Sequence, residues 1–208
     1  MKKNLLIVCV LALSVMLAAC SKKDSSTTST DTKKESTSPT PTTTTGTTTN
    51  ASASYFKVSS VENASGKNVA PNFTWEENGK KMSMNDLKGN VVLVNLWATW
   101  CGPCKKEIPD LMKISNEMKN EKFKMIGVNV FQNPKSQSID AYLKENPISY
   151  TILDADDSFV KAFSESTKSD IEAVPTTFVV DKKGNIVETI VGMRDEAGFK
   201  SVINKYLN

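Results

Sequence analysis

The 208-residue sequence contains no histidine. That absence removes a serine or cysteine nucleophile activated by a His base, a His-ligated metal, and a Cys-x-x-Cys-His haem attachment. An excess of charge is missing too. Lys and Arg number 26 against 23 Asp and Glu, a net +3, too small for the electrostatic footprint of a nucleic-acid binder. Residues 55–208 carry 20 basic and 20 acidic side chains, so this portion is neutral. No apolar run reaches the 18 or more residues of a membrane-spanning helix; the longest, Leu5 to Ala19, has 15 with Ser14 as its one polar member. What is present, 39% apolar and 24% charged residues, excludes wholesale disorder and predicts one globular domain with appendages.

The N-terminal appendage has two parts. Lys2 and Lys3, the apolar run and Cys20 read as a secretion signal over residues 1–19. Leu17-Ala18-Ala19-Cys20 also resembles the bacterial lipobox, which implies cleavage before Cys20 and lipid on its thiol. Cys9 would be discarded with the signal, leaving Cys101 and Cys104 as the thiols of the mature chain. Residues 20–54 then form a lipidated cysteine and a tether: 21 of the 34 residues from Ser21 to Ser54 are Ser or Thr, too little apolar surface to offset chain entropy. Flexible-chain scaling gives such a tether a reach of roughly 30 to 35 Å.

Residues 55–208 alternate strand and helix patterns, which predicts an α/β domain with a substantially parallel sheet. Phe73 to Glu76 and Lys81 to Met84 flank an Asn78-Gly79 turn, a hairpin signal. Val91 to Ala98 is continuously apolar, as a strand buried on both faces should be. A helix is expected from Pro103 to about Asn120, a strand over 123–130, a helix over 136–145, an extended stretch over 150–153 and a short helix over 158–163. Strands over 177–180 and 186–191 make a second hairpin, and a helix over 196–207 closes the chain.

Cys101-Gly102-Pro103-Cys104 lies where the buried strand hands over to a helix. Unsatisfied N–H groups and the dipole at a helix N-terminus stabilise a thiolate, the form that attacks disulfides. Cys104, one turn further in, is placed to resolve a mixed disulfide, and Pro103 stands where a missing N–H costs little. Zinc would require four ligands, and neither a second cysteine pair nor any histidine is available, so no metal is expected. A static structural disulfide stays open as an alternative, although so short a loop constrains the unfolded chain little.

The stretch from Val91 through Cys104 resembles the active-site strand and helix of the thioredoxin superfamily. Its surroundings resemble the extracytoplasmic TlpA/ResA-like thiol-disulfide oxidoreductases: Ala70-Pro71-Asn72-Phe73 with Asn78-Gly79-Lys80, Asp86-Leu87-Lys88-Gly89, Lys105-Lys106-Glu107-Ile108-Pro109, and Val174-Pro175-Thr176-Thr177-Phe178. The resemblance spans about residues 69–207. It implies a thioredoxin-like fold, a central mixed sheet flanked by helices, with an N-terminal β-hairpin and a central insertion at 131–163. It also implies Cys101 as an exposed nucleophile, Cys104 as the resolving thiol, and Trp100, Gly102 and Pro103 as the residues shaping the substrate-binding surface. Pro175 would be cis beside the cysteines, leaving the Val174 backbone to pair with an incoming peptide. Thioredoxins carry a buried aspartate six residues before the nucleophile, where this chain has Asn95; the resemblance instead places an acid at Glu107, for which a solvated surface carboxylate is the plainer alternative.

The expected function is that of an extracytoplasmic, lipid-anchored thiol-disulfide oxidoreductase needing no cofactor beyond its redox-active disulfide. Gly102-Pro103 is the dipeptide of reducing thioredoxins, with couples near about −270 mV against about −120 mV for strong oxidants, which favours a reductase. Implied partners are client thiols and disulfides, such as apocytochrome c or methionine sulfoxide reductases, a DsbD/CcdA-type membrane electron donor, and the membrane through Cys20. A peroxiredoxin-like peroxidase and a lipoprotein binding module with an inert disulfide are the competing readings.

Overall fold

A computed structural model of the chain describes residues 55–208. The expected signal, lipid site at Cys20 and tether fall on residues 1–54, outside the described residues.

Eight strands form one sheet: β1 (Tyr55–Glu62), β2 (Asn72–Glu77), β3 (Lys80–Ser83), β4 (Val91–Trp97), β5 (Phe123–Asn129), β6 (Thr151–Asp154), β7 (Thr176–Val180) and β8 (Ile186–Val191). Their spatial order is β3-β2-β1-β6-β5-β4-β7-β8. The four central strands β1, β6, β5 and β4 run parallel, and an antiparallel pair flanks them at each end. Four helices complete the domain: α1 (Gly102–Glu117), α2 (Ile139–Glu145), α3 (Asp157–Thr167) and α4 (Glu196–Leu207). This is the mixed, helix-flanked sheet expected of a thioredoxin-like fold. Among the described residues no helix is long and apolar enough to cross a membrane.

Alternation along β4 assigns its side chains to two cores. Leu93 and Trp97 pack under α1 and α4 with Ile108, Leu111, Ile114, Phe199 and Ile203. Val92, Val94 and Leu96 face the other way, toward Phe159 and Phe163 of α3, and Phe73 and Phe178. All seven β4 residues are buried, which is why the strand reads as an unbroken apolar run.

Three elements differ from expectation, the first being α2, which begins at Ile139 with Ser138 as its N-cap rather than at Ser136. β1 has no counterpart in the sequence reading, because Lys57, Ser59, Ser60 and Glu62 interrupt its apolar residues; its half-exposed pattern still supplies enough alternation to pair with β2 and β6. α3 runs one turn beyond Phe163 through Ser164, Glu165, Ser166 and Thr167. Ser and Thr are weak helix formers, but the Ser166 hydroxyl donates to the Val69 carbonyl at 2.5 Å and ties the extra turn to the loop before β2. The 131–163 insertion is structural as well, since its strand β6 sits in the middle of the sheet.

Gly127 stands opposite Asn95 in the β4–β5 register, beneath the Tyr150 and Trp97 rings. A Cβ there would lie 2.8 Å from Ile152 Cδ1, 3.0 Å from Tyr150 Cε2 and 3.4 Å from Trp97 Nε1. Gly127→Ala is therefore expected to destabilise the domain by about 1–3 kcal/mol through overpacking, read as a lower urea midpoint with an unchanged slope.

Candidate active site

β4 ends at Trp97, and a short turn delivers Cys101 to the N-cap position of α1. The turn closes with the Cys101 N–H donating to the Ala98 carbonyl at 3.0 Å. Thr99 donates through its hydroxyl to Gln137 O at 2.7 Å, and the Trp100 indole N–H to Phe131 O at 2.8 Å, so both side chains are fixed to the segment after β5. Trp100 remains 46% exposed.

Cys101 and Cys104 are joined by a disulfide with Cα atoms 5.3 Å apart. Cys101 Sγ takes the role an N-cap oxygen usually plays, accepting the Cys104 N–H at 3.1 Å. Gly102 and Pro103 occupy the first two helical positions and are exposed. A side chain at Gly102 would meet nothing within 4 Å, so packing does not require glycine there.

The peptide bond Val174–Pro175 is cis. The Val174 carbonyl oxygen stands 3.5 Å from Cys101 Sγ. Pro175 O accepts the N–H of Gly192, a residue at φ +87°, at 2.9 Å, so the β7 entry and the β8 exit are braced together beside the disulfide. The expectation of an exposed nucleophile is corrected: Cys101 is only 3% exposed. In the disulfide its sulfur points inward, between the Cys104 amide and the Val174 carbonyl.

Glu107 follows Cys104 by three residues on the same helix face and is 1% exposed, not the solvated acid that helical spacing alone allows. Asn95 Nδ2 donates to its Oε1 at 2.8 Å and to Thr177 Oγ1 at 2.9 Å, and the Arg194 N–H donates to Oε2 at 3.3 Å. Burial pushes the Glu107 carboxyl up to about 7; the Asn95 and Arg194 hydrogen bonds oppose the rise, and nearby Asp110 adds to it. An acid titrating near neutrality beside a cysteine pair is suited to taking up or releasing a proton as the disulfide is reduced or formed.

Every residue the sequence singles out within the described part gathers at this end of the sheet: Trp100, Cys101, Gly102, Pro103, Cys104, Glu107, Val174 and Pro175. Of the floor beneath them the sequence indicates Asn95 but not Tyr150. Asn95 Oδ1, Trp97 Nε1 and Tyr150 Oη are the three buried side-chain polar atoms without a partner among the described residues, and all belong to the α1 face of the sheet. Tyr150 has its hydroxyl pKa raised, chiefly by burial and then by the Glu107 charge. No spacing rule could have found it, because its position comes from β6 entering the sheet beside β5. Val191 and Met193, 71% and 54% exposed, were likewise not foreseen; with Trp100 they are the large hydrophobic side chains most open to solvent among the described residues.

A dithiol/disulfide pair at a helix N-terminus, faced by a cis-proline loop on a four-helix mixed sheet, defines a thioredoxin-like thiol-disulfide oxidoreductase. Comparison with known proteins agrees. The family model described as Redoxin matches residues 64–206. Thiol-disulfide oxidoreductase ResA of Bacillus subtilis is 32% identical over 149 residues, covering 71% of this chain and 76% of that protein. A ResA of Bacillus cereus is 33% identical over 141 residues, 65% of this chain and 75% of that protein. Among solved structures, a thiol:disulfide interchange protein of the thioredoxin family from Chlorobium tepidum TLS superposes with a TM-score of 0.60 at 32% identity, covering 68% of this chain and 97% of that one. The chain belongs to the redoxin family, among the ResA-like thiol-disulfide oxidoreductases.

Proposed function

We propose that this protein reduces disulfides of client proteins outside the cytoplasm, tethered to the membrane by lipid on Cys20. The observation that carries the reading is the placement of Cys101 as the N-cap of α1, with its sulfur on the Cys104 amide and beside the Val174 carbonyl. When the pair is reduced, the Cys104 N–H and the helix dipole stabilise the Cys101 thiolate. That thiolate attacks a client sulfur, the client disulfide breaks, and a Cys101–client mixed disulfide forms. The Cys104 thiolate then attacks Cys101 Sγ, expelling the client thiolate and regenerating the Cys101–Cys104 bond. Glu107 accepts the proton Cys104 gives up, which its neutral-range titration favours. Two electrons pass from the dithiol to the client, so the disulfide serves as the redox group and no further cofactor is needed. Trp100, Gly102, Pro103 and the Val174 backbone form the surface on which the client lies, and Pro175 holds that surface against the cysteines.

The Ser/Thr-rich segment and the lipobox-like Leu17-Ala18-Ala19-Cys20 support the tether, which confines the domain near membrane partners and raises their effective concentration. A DsbD/CcdA-type membrane protein would re-reduce the pair, and apocytochrome c or methionine sulfoxide reductases would be clients of suitable chemistry. The deciding experiment expresses a Cys104→Ala variant in the native cell and identifies the protein captured on Cys101, together with the potential of the wild-type couple. A couple near about −270 mV is expected; one above about −150 mV, in the range of strong oxidants, overturns the reductase assignment. Mass spectrometry of the membrane fraction should find Cys20 as a lipid-modified N-terminus.

A further inference from the structure

Next to the cis-proline loop, a groove of about 200 Å³ opens between the α3–β7 loop and the end of β8. Its apolar lining is Ile171, Ala173, Phe178 and Val191, and two carboxylates, Asp170 and Glu172, stand among its remaining residues with no basic side chain. Both acids are exposed, and Val191 is the most open of the large hydrophobic side chains. The volume falls below the roughly 300–1,000 Å³ of small-molecule pockets and suits a single side chain.

The groove adjoins the redox centre through the chain. Ala173 in its wall precedes Val174, whose carbonyl lies 3.5 Å from Cys101 Sγ, and Thr176 in its floor pairs with Val191 across β7 and β8. The Val174 N–H has no hydrogen bond to another described residue, so an extended segment can pair with the backbone here as an added strand. In antiparallel pairing, a client residue opposite Val174 sends its following residues toward Glu172 and Asp170.

We infer that this groove is a specificity subsite taking an extended client segment whose reacting cysteine is followed by an apolar residue and then by lysine or arginine. The apolar side chain fills the groove against Ile171 and Val191, and the cationic one lies between Asp170 and Glu172. The inference rests on Cys101 attacking client disulfides as proposed above. Exposed charge pairs are weak singly but add to encounter rate and orientation, so the preference is kinetic and sensitive to salt.

Reduced full-length protein is mixed with short peptides, each carrying one cysteine capped as a mixed disulfide with glutathione, and release of peptide thiol is timed. The sequences after the cysteine are Leu-Lys, Leu-Glu and Ser-Ser; a fourth peptide carries Leu-Lys before the cysteine in mirrored order. The Leu-Lys peptide is expected to react about fivefold faster than Leu-Glu at low ionic strength, with the ratio shrinking in about 0.5 M salt. In Asp170→Lys/Glu172→Lys the ratio should invert. Equal rates for Leu-Lys and Leu-Glu, a preference for the mirrored peptide, or a ratio unchanged in the double variant would each overturn the subsite. Failure to reduce even the Ser-Ser peptide would instead overturn the reductase reading, so the two failures are distinct.

Discussion

Cys101→Ser is expected to abolish disulfide exchange, lowering its rate by at least about 10³-fold, while leaving the domain folded. A serine hydroxyl is not ionised near neutral pH and cannot form the mixed disulfide, whereas the helix terminus that would hold the thiolate remains intact. The Cys104→Ser partner variant should behave differently. Attack by Cys101 survives, but the second step is lost, so a covalent client adduct accumulates in place of turnover. Timing the release of thiols from a peptide disulfide, with non-reducing mass spectrometry of the protein, reads both outcomes. Equal losses without adduct in Cys104→Ser would show that the order of attack has been assigned to the wrong cysteine. The near-complete burial of Cys101 in the disulfide adds a consequence for the oxidised form: bulky thiol reductants should reduce it more slowly than dithiothreitol, since little of it is open to solvent.

Glu107→Gln should change how the protein depends on pH more than any other single substitution outside the cysteines. The folded-state carboxyl titrates near 7 against an ordinary value of 4.5, because burial disfavours its charged form. Between those two values the native state binds more protons than the unfolded chain, so stability is fully present below pH 4.5 and is lost as pH rises through 7. The loss tied to this group approaches about 3 kcal/mol above about pH 8. In Glu107→Gln that slope should disappear, so that the variant gains on the wild type as pH rises; urea unfolding at about pH 5 and about pH 8 measures it. The same charge opposes ionisation of the cysteines beside it when they are reduced. Removing it should lower the apparent thiol pKa values and flatten the pH profile of exchange, the carboxyl and thiols titrating as a coupled set. Superimposable alkylation curves for the two proteins would mean that Glu107 does not communicate with the pair, whatever its effect on stability.

The chemistry and most of the frame are written in local features of the chain. With no histidine, and with one Cys-x-x-Cys between an apolar strand and a helix, thiol-disulfide exchange is legible from Cys101 and Cys104 once the surrounding motifs set aside an inert disulfide. β4, α1, the Asn78-Gly79 hairpin and α4 were legible too, because continuous burial, helical periodicity and turn residues are local signals. Tertiary structure alone decided what faces what. Glu107 could have been a solvated acid until the sheet placed Asn95 and the Arg194 amide against it, and burial, which spacing does not encode, then moved its titration toward neutrality. Tyr150 entered the floor of the site through β6, Val174 met Cys101 across 73 positions, and Val191 and Asp170 came to share one groove. Each of these depends on pairing between strands distant in the chain, and a pairing of that kind is chosen by the whole sheet and its two cores rather than by any residue's immediate neighbours.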